Sequence, residues 1–281
     1  MRCQWQEFLN LLPIWLRQAV DEQGKDDLQE LRLRVNAPPE LVKMHQSVWL
    51  NRCIKQDDLS FCLNAATRYS PWTSGSITDG FVTAAGGHRI GLCGECVYEG
   101  TKLKNIVPLT SVNIRVAREF SGVSGNVYQS PGSILIIGSP GSGKTTFLRD
   151  LIRMISDHGN GAVVALDERR ELFPSSSGDI FFERGRRTDV MSGCTKQAAL
   201  EMAVRTMGPA VIAVDEITNI RDCTALSYAA WCGVRLIATA HATSKRDLYA
   251  RKLFQPILES KIFQTLIIIH PNKTWSEEVM R

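Results

Sequence analysis

The rhythm of apolar and polar positions changes between residues 120 and 132. Before that stretch, apolar residues alternate or recur in short patterns; after it, they gather into unbroken runs separated by helical patterns. Residues 5–20 carry a helical pattern interrupted by Pro13, which predicts a bent or broken helix. Leu31, Leu33 and Val35 alternate with Arg32 and Arg34, the mark of a half-exposed strand, and residues 58–67 read as a short helix. Residues 81–84 and 88–92 flank Gly86 and Gly87 as the arms of a hairpin. Val112, Ile114 and Val116, alternating with Asn113, Arg115 and Ala117, give a last strand. Residues 1–119 are therefore expected to form a small α+β domain. Residues 120–132, with Gly122, Gly125, Pro131 and Gly132, are expected to be a linker.

Over residues 133–281 the expectation is an α/β domain with a parallel sheet. The apolar runs 133–137, 162–166, 210–214, 234–238 and 265–270 suit strands buried on both faces. Helical patterns follow at 144–157, at 196–207 before Gly208-Pro209, and at 222–231 before Gly233. Ser244 and Asp247 have the spacing of a capping box in front of a helix over 248–254.

The first of these runs ends in Gly138-Ser139-Pro140-Gly141-Ser142-Gly143-Lys144-Thr145-Thr146, which fits the phosphate-cradling loop of nucleotide triphosphatases. Glycines let backbone N–H groups turn inward and approach phosphate oxygens, and the helix that follows points its positive end at the same place. Lys144 is expected to reach the β- and γ-phosphates of ATP, and the Thr145 hydroxyl to ligate Mg²⁺. Phe147, Leu148, Leu151, Ile152 and Ile155 recur at helical spacing and belong to the core.

Two other runs end in acids and a third ends in histidine. Residues 211–214 lead into Asp215 and Glu216. This strand is expected to run beside the loop strand, which gives Asp215 to Mg²⁺ and leaves Glu216 to orient or deprotonate the attacking water. The bland reading is an acidic pair capping the next helix. Residues 163–166 lead into Asp167, Glu168, Arg169 and Arg170, making Glu168 a second candidate for water activation, against a solvated charge cluster. His241 closes the third run, where it is either structural or a group facing the γ-phosphate. Arg115, Arg118, Arg184, Arg186 and Arg187 are candidates for an arginine supplied to a neighbouring subunit, each with a solvated or salt-bridged alternative.

Composition narrows the partners. With 281 residues, 44% of them hydrophobic, the chain can bury two cores, and a net charge of +4 points to no particular polyanion. There is no apolar signal segment and no run long enough to span a bilayer. The expected location is cytoplasmic, reaching a membrane only through partners. Of eight cysteines only Cys93 and Cys96 form a C-x-x-C pair, with no second pair at zinc spacing; free buried thiols are expected throughout.

The four strand ends GSPGSGKTT, VALDERRE, VIAVDEI and ATAHA resemble, in order and character, the P-loop, Asp box, Walker B segment and His box of the secretion-ATPase superfamily, which powers type II and type IV secretion and pili. Residues 30–35, 86–94, 113–119, 187–190 and 193–194 extend the likeness through both halves, where the chain resembles the stage III sporulation protein AA family of endospore-forming bacteria. The resemblance implies a RecA-like P-loop ATPase domain behind a smaller α+β domain. It implies Lys144, Glu168, Glu216 and His241 as catalytic residues, Thr145 and Asp215 at Mg²⁺, and ATP held by residues 138–146. It also implies homo-oligomeric rings, expected to be hexamers, docked on integral membrane proteins of a sporulation channel or secretion complex. Thr218, Ala242 and Arg170 depart from the family pattern without removing a catalytic group.

Three functions are open at this level: an ATP-driven motor, a nucleotide-gated scaffold with negligible turnover, and a nucleic-acid motor. The last would call for a basic stripe interleaved with aromatics, which neither half shows.

Overall fold

A computed structural model describes residues 1–68, 80–176 and 179–280. They fall into two units, Met1–Glu119 with Pro174–Phe182, and Phe120–Phe173 with Glu183–Arg281. The stretch read as a linker thus lies within the second unit, while Pro174–Phe182 joins the first.

In the first unit, Pro13 separates helix α1 (Trp5–Asn10) from α2 (Ile14–Glu22), as its missing N–H requires. The strands are β1 (Leu28–Arg34), β2 (Glu40–Lys43), β3 (Ser47–Trp49), β4 (Phe81–Thr83), β5 (Arg89–Glu99) and β6 (Lys102–Arg115), with α3 (Gln56–Ala66) between β3 and β4. They form one antiparallel sheet in the order β3-β2-β1-β6-β5-β4. Phe8, Leu12, Leu16, Val20, Leu31, Leu33, Ile90 and Ile114 make its core. The expected β4–β5 hairpin turns through Gly86 and Gly87, whose φ values of +74° and +78° favour glycine. Strands β5 and β6 run past the expected ends because Cys93 and Glu95–Glu99 are exposed and leave no alternation to read. Buried His88 accepts the Ala117 N–H at Nδ1 (3.1 Å) and donates from Nε2 to the Gln4 carbonyl (3.0 Å).

The second unit begins with β7 (Ile134–Gly138), α4 (Lys144–His158) and β8 (Val163–Asp167). A small ribbon of β9 (Ser175–Ser176) and β10 (Asp179–Ile180) then contributes to the first unit. The second unit resumes with β11 (Thr188–Ser192), α5 (Lys196–Thr206), β12 (Val211–Val214), α6 (Ile220–Trp231) and β13 (Arg235–His241). It closes with α7 (Lys245–Ala250), α8 (Gln255–Glu259), β14 (Thr265–Ile269) and β15 (Trp275–Val279). The sheet order is β11-β8-β12-β13-β7-β14-β15, parallel except for β15. The central strands β7, β8, β12 and β14 are buried along their whole length, which is why they read as unbroken apolar runs.

Three details differ from expectation. Strand β12 is not beside the loop strand β7: β13 lies between them. The capping box before α7 is half formed: Ser244 accepts the Asp247 N–H, but Asp247 turns its carboxylate to Thr243, and the helix starts at Lys245. The thiols of Cys62 and Cys223 are buried, whereas those of Cys53, Cys93, Cys96 and Cys232 are exposed. Stretch 120–132 is tied to α4 by Asp150, which accepts from the N–H groups of Gly122 (3.0 Å) and Ser124 (2.8 Å) and from the Ser124 hydroxyl (2.7 Å).

Candidate active site at the strand ends

The loop after β7 turns back through Gly141 and Gly143, at φ +71° and +106°, so that α4 starts with its N–H groups facing the loop. A Cβ on Gly138 would lie 2.5 Å from the Ser142 Oγ, a close approach that excludes any side chain. That Oγ is buried and has no hydrogen-bond partner. Lys144, itself buried, folds back to donate to the carbonyls of Gly138 and Ser139, each at 3.0 Å. Its third partner is the His241 Nδ1, at 2.9 Å.

An ammonium only donates, so His241 Nδ1 carries a lone pair and the ring proton sits on Nε2. Nε2 in turn lies 3.0 Å from Glu216 Oε1, a donor facing an acceptor. Lys144, His241 and Glu216 thus form one continuous chain of hydrogen bonds across the ends of β7, β13 and β12. Arg169, mostly exposed, approaches the other Glu216 oxygen at 3.7 Å. Burial lowers the pKa of the Lys144 ammonium, and the charges of Glu216 and Asp215 oppose that shift.

Asp215 sits deeper. It accepts from the Thr239 hydroxyl at 3.1 Å and from the Thr145 hydroxyl at 3.5 Å. Burial pushes its carboxyl up to about 6 from an ordinary 3.8; the Thr239 hydrogen bond opposes this, and the charges of Asp167, Glu171 and Glu216 add to it. Strand β13 separates the expected neighbours, yet Asp215 still meets Thr145 across it. Among the described residues no three His, Cys, Asp or Glu side chains cluster as a cage for a metal. Mg²⁺ binds through one or two protein oxygens and substrate phosphates. A hydroxyl beside a half-buried carboxylate with its pKa raised fits such an ion. Glycine turns, an unpartnered buried hydroxyl and a lysine held by its own loop fit a triphosphate.

Glu168 stands apart from this chain. Lys196, nearly fully buried at the start of α5, donates to it at 2.5 Å and lies 3.7 Å from Asp222. Its neighbour Asp167 is buried and accepts the backbone N–H groups of Glu171 (2.8 Å), Leu172 (3.1 Å) and Phe173 (2.8 Å). Sequence patterning does not single out Lys196 or Thr239, which belong to no repeating or spaced pattern; Asp167 shows at a strand end, but its backbone partners do not. Among the candidate trans arginines, Arg115 pairs with Glu30, Arg118 donates to the Lys25 carbonyl, and Arg187 donates to the carbonyls of Ser156 and Gly159.

The family described as sporulation stage III, protein AA, matches residues 2–278. Stage III sporulation protein AA of Bacillus subtilis (strain 168) is 34% identical over 270 residues, covering 92% of this chain and 88% of that protein. The uncharacterized protein ycf45 of Porphyra purpurea is 26% identical over 308 residues, covering 96% of this chain and 51% of that protein. Among solved structures, the Legionella pneumophila ATPase DotB matches with a TM-score of 0.62 at 15% identity, over 95% of this chain and 79% of DotB. The pilus retraction motor PilT, solved with bound ADP, also matches at 0.62, with 18% identity, over 90% of this chain and 76% of PilT. At those identities the likeness establishes the fold alone: an α/β unit with a mostly parallel sheet, as in DotB and PilT, and a separate antiparallel sheet.

Proposed function

The chain belongs to the sporulation stage III protein AA family, and on that premise we propose that it is a Mg²⁺-dependent ATPase of the secretion-motor kind. It works as a homo-oligomeric ring, expected to be a hexamer, on the cytoplasmic side of integral membrane proteins that form a channel or secretion complex in sporulation. The observation that carries the reading is the hydrogen-bonded chain Lys144–His241–Glu216, which joins the phosphate loop to a carboxylate one residue beyond Asp215.

Residues 138–146 bind the phosphates through backbone N–H groups, and Lys144 exchanges its two loop carbonyls for phosphate oxygens. Thr145 and Asp215 would hold Mg²⁺, which would offset phosphate charge. Glu216 takes the proton of the attacking water, and the His241 Nε2–H keeps the Glu216 carboxylate aimed. Glu168, the other candidate base, is engaged by the Lys196 ammonium and is better placed to hold β8 against α5. Among the described residues no helix is long and apolar enough to cross a membrane, so membrane work requires a partner.

The test is phosphate release from Mg-ATP at increasing protein concentration, with Lys144→Ala as the comparison. Specific activity that rises with concentration and drops by about 100-fold or more in the variant supports interfacial sites that use Lys144. ATP binding with no turnover above the variant at any concentration would overturn the motor reading in favour of a nucleotide-gated scaffold.

A further inference from the structure

Glu216 has an uncommon backbone. Its φ is +46°, in the left-handed region that non-glycine side chains disfavour, and it directly follows strand β12 and Asp215. Such a conformation persists where neighbouring groups over-determine it. One residue on the adjacent strand does so. Thr239, fully buried in β13, accepts the Glu216 N–H on its hydroxyl oxygen at 2.8 Å. The same hydroxyl donates to Asp215 Oδ1 at 3.1 Å. The Thr239 carbonyl accepts the next N–H, that of Ile217, at 2.8 Å. One side chain and its own carbonyl therefore fix three successive residues, 215, 216 and 217.

The hydroxyl is the part that sequence could not have required. Thr239 lies in an apolar run where valine, of the same shape, would pack as well. A valine could neither accept the Glu216 N–H nor donate to Asp215, and both partners are polar groups in a largely buried place. Strand β13 already carries His241 two residues further on, and alternation puts residues 239 and 241 on the same face of the sheet. Side chains from that single face thus address both ends of Glu216: the hydroxyl takes its backbone N–H and the imidazole takes its carboxylate.

We propose that Thr239 is a positioning residue for hydrolysis: its hydroxyl holds Glu216 in the left-handed backbone conformation that presents the carboxylate to the water. This rests on the reading of Glu216 as the base.

The experiment uses the full chain with Thr239→Val, Thr239→Ser and Glu216→Gln, singly, and Thr239→Val combined with Glu216→Gln. Thr239→Val is expected to lower kcat by about 10- to 100-fold with KM for ATP changed less than about twofold. Thr239→Ser, which keeps the hydroxyl, restores most of the rate. In the Glu216→Gln background, Thr239→Val costs less than about twofold more, since the residue it acts through is already lost. Turnover of Thr239→Val within twofold of the unaltered protein overturns the proposal, as does a full additional loss in the double variant. Should Thr239→Val fail to fold, Thr239→Cys, a weak hydrogen-bonding group of similar bulk, is measured in its place with the same expected order.

Residue-resolved amide exchange separates this proposal from the functional reading beneath it. The Glu216 amide is protected in the unaltered protein and in Thr239→Ser, and exchanges fast in Thr239→Val, while the Ile217 amide stays protected throughout. Should Glu216→Gln keep full turnover, the assignment of the base fails. An unchanged Glu216 amide in Thr239→Val refutes the hold itself, whatever the turnover.

Discussion

The pair Asp-Glu closes two neighbouring strands, at 167–168 after β8 and at 215–216 after β12, and the two pairs do opposite things. Asp167 spends its carboxylate on three backbone N–H groups and so builds the loop that follows it. Asp215 receives only two hydroxyls, and burial raises its pKa to about 6. Glu168 is paired with a buried lysine, while Glu216 faces an imidazole linked to the phosphate-loop lysine. Identical dipeptides at equivalent strand ends take different partners according to what the adjoining strand and helix offer. The strand that decides the matter for Asp215 and Glu216 is β13, which supplies Thr239 and His241.

The largest break in this symmetry should come from removing the structural acid. Asp167→Ala strands three N–H donors, two of them buried, and is expected to cost about 3–5 kcal/mol of stability. Asp215→Ala, by contrast, removes a half-buried carboxylate with its pKa raised and should leave the nucleotide-free protein as stable as before, or more so. Denaturant titration of both variants without nucleotide checks this. Equal losses in the two would erase the distinction between the pairs.

His88 supplies the contrast of a buried titratable group engaged only in structure, in the other unit. Burial holds its pKa down at about 4 against an ordinary 6.5, with Arg118 adding to the effect and the Gln4 hydrogen bond opposing it. The unfolded chain therefore binds a proton that the folded one refuses. The stability it contributes is complete above pH 6.5 and falls away as the pH drops towards 4, by about 3 kcal/mol in all. Unfolding measured between pH 7 and 4 should show that slope in the unaltered protein and a flatter one in His88→Gln. An identical slope in both would mean that other groups carry the acid sensitivity.

Much of the second unit is legible in the sequence for a plain reason. Strands β7, β8, β12 and β14 are buried on both faces, and the phosphate loop needs glycines at fixed places. Edge strands leave no such trace. Strand β11 reads Thr-Asp-Val-Met-Ser and β15 reads Trp-Ser-Glu-Glu-Val, with one side open to solvent, so neither forms an apolar run. Within the site, Lys144, Asp215, Glu216 and His241 announce themselves by strand-end position. Thr239 and Lys196 do not, because their roles arise from which elements are neighbours, and the order of β12, β13 and β7 is not written in any one segment; Asp167 shows its strand-end position but not the loop N–H groups it accepts. The expectation that β12 adjoins β7 failed for that reason.

The two glutamates are the point at which the account is most exposed. Single-turnover hydrolysis of prebound Mg-ATP should be measured for Glu216→Gln and Glu168→Gln side by side, with nucleotide affinity determined for each. Both variants should bind ATP; Glu216→Gln should lose about 10²- to 10⁴-fold in rate, and Glu168→Gln about 10-fold or less. The reverse ranking would move the chemistry to the end of β8 and contradict the assignment of Glu216 as the base.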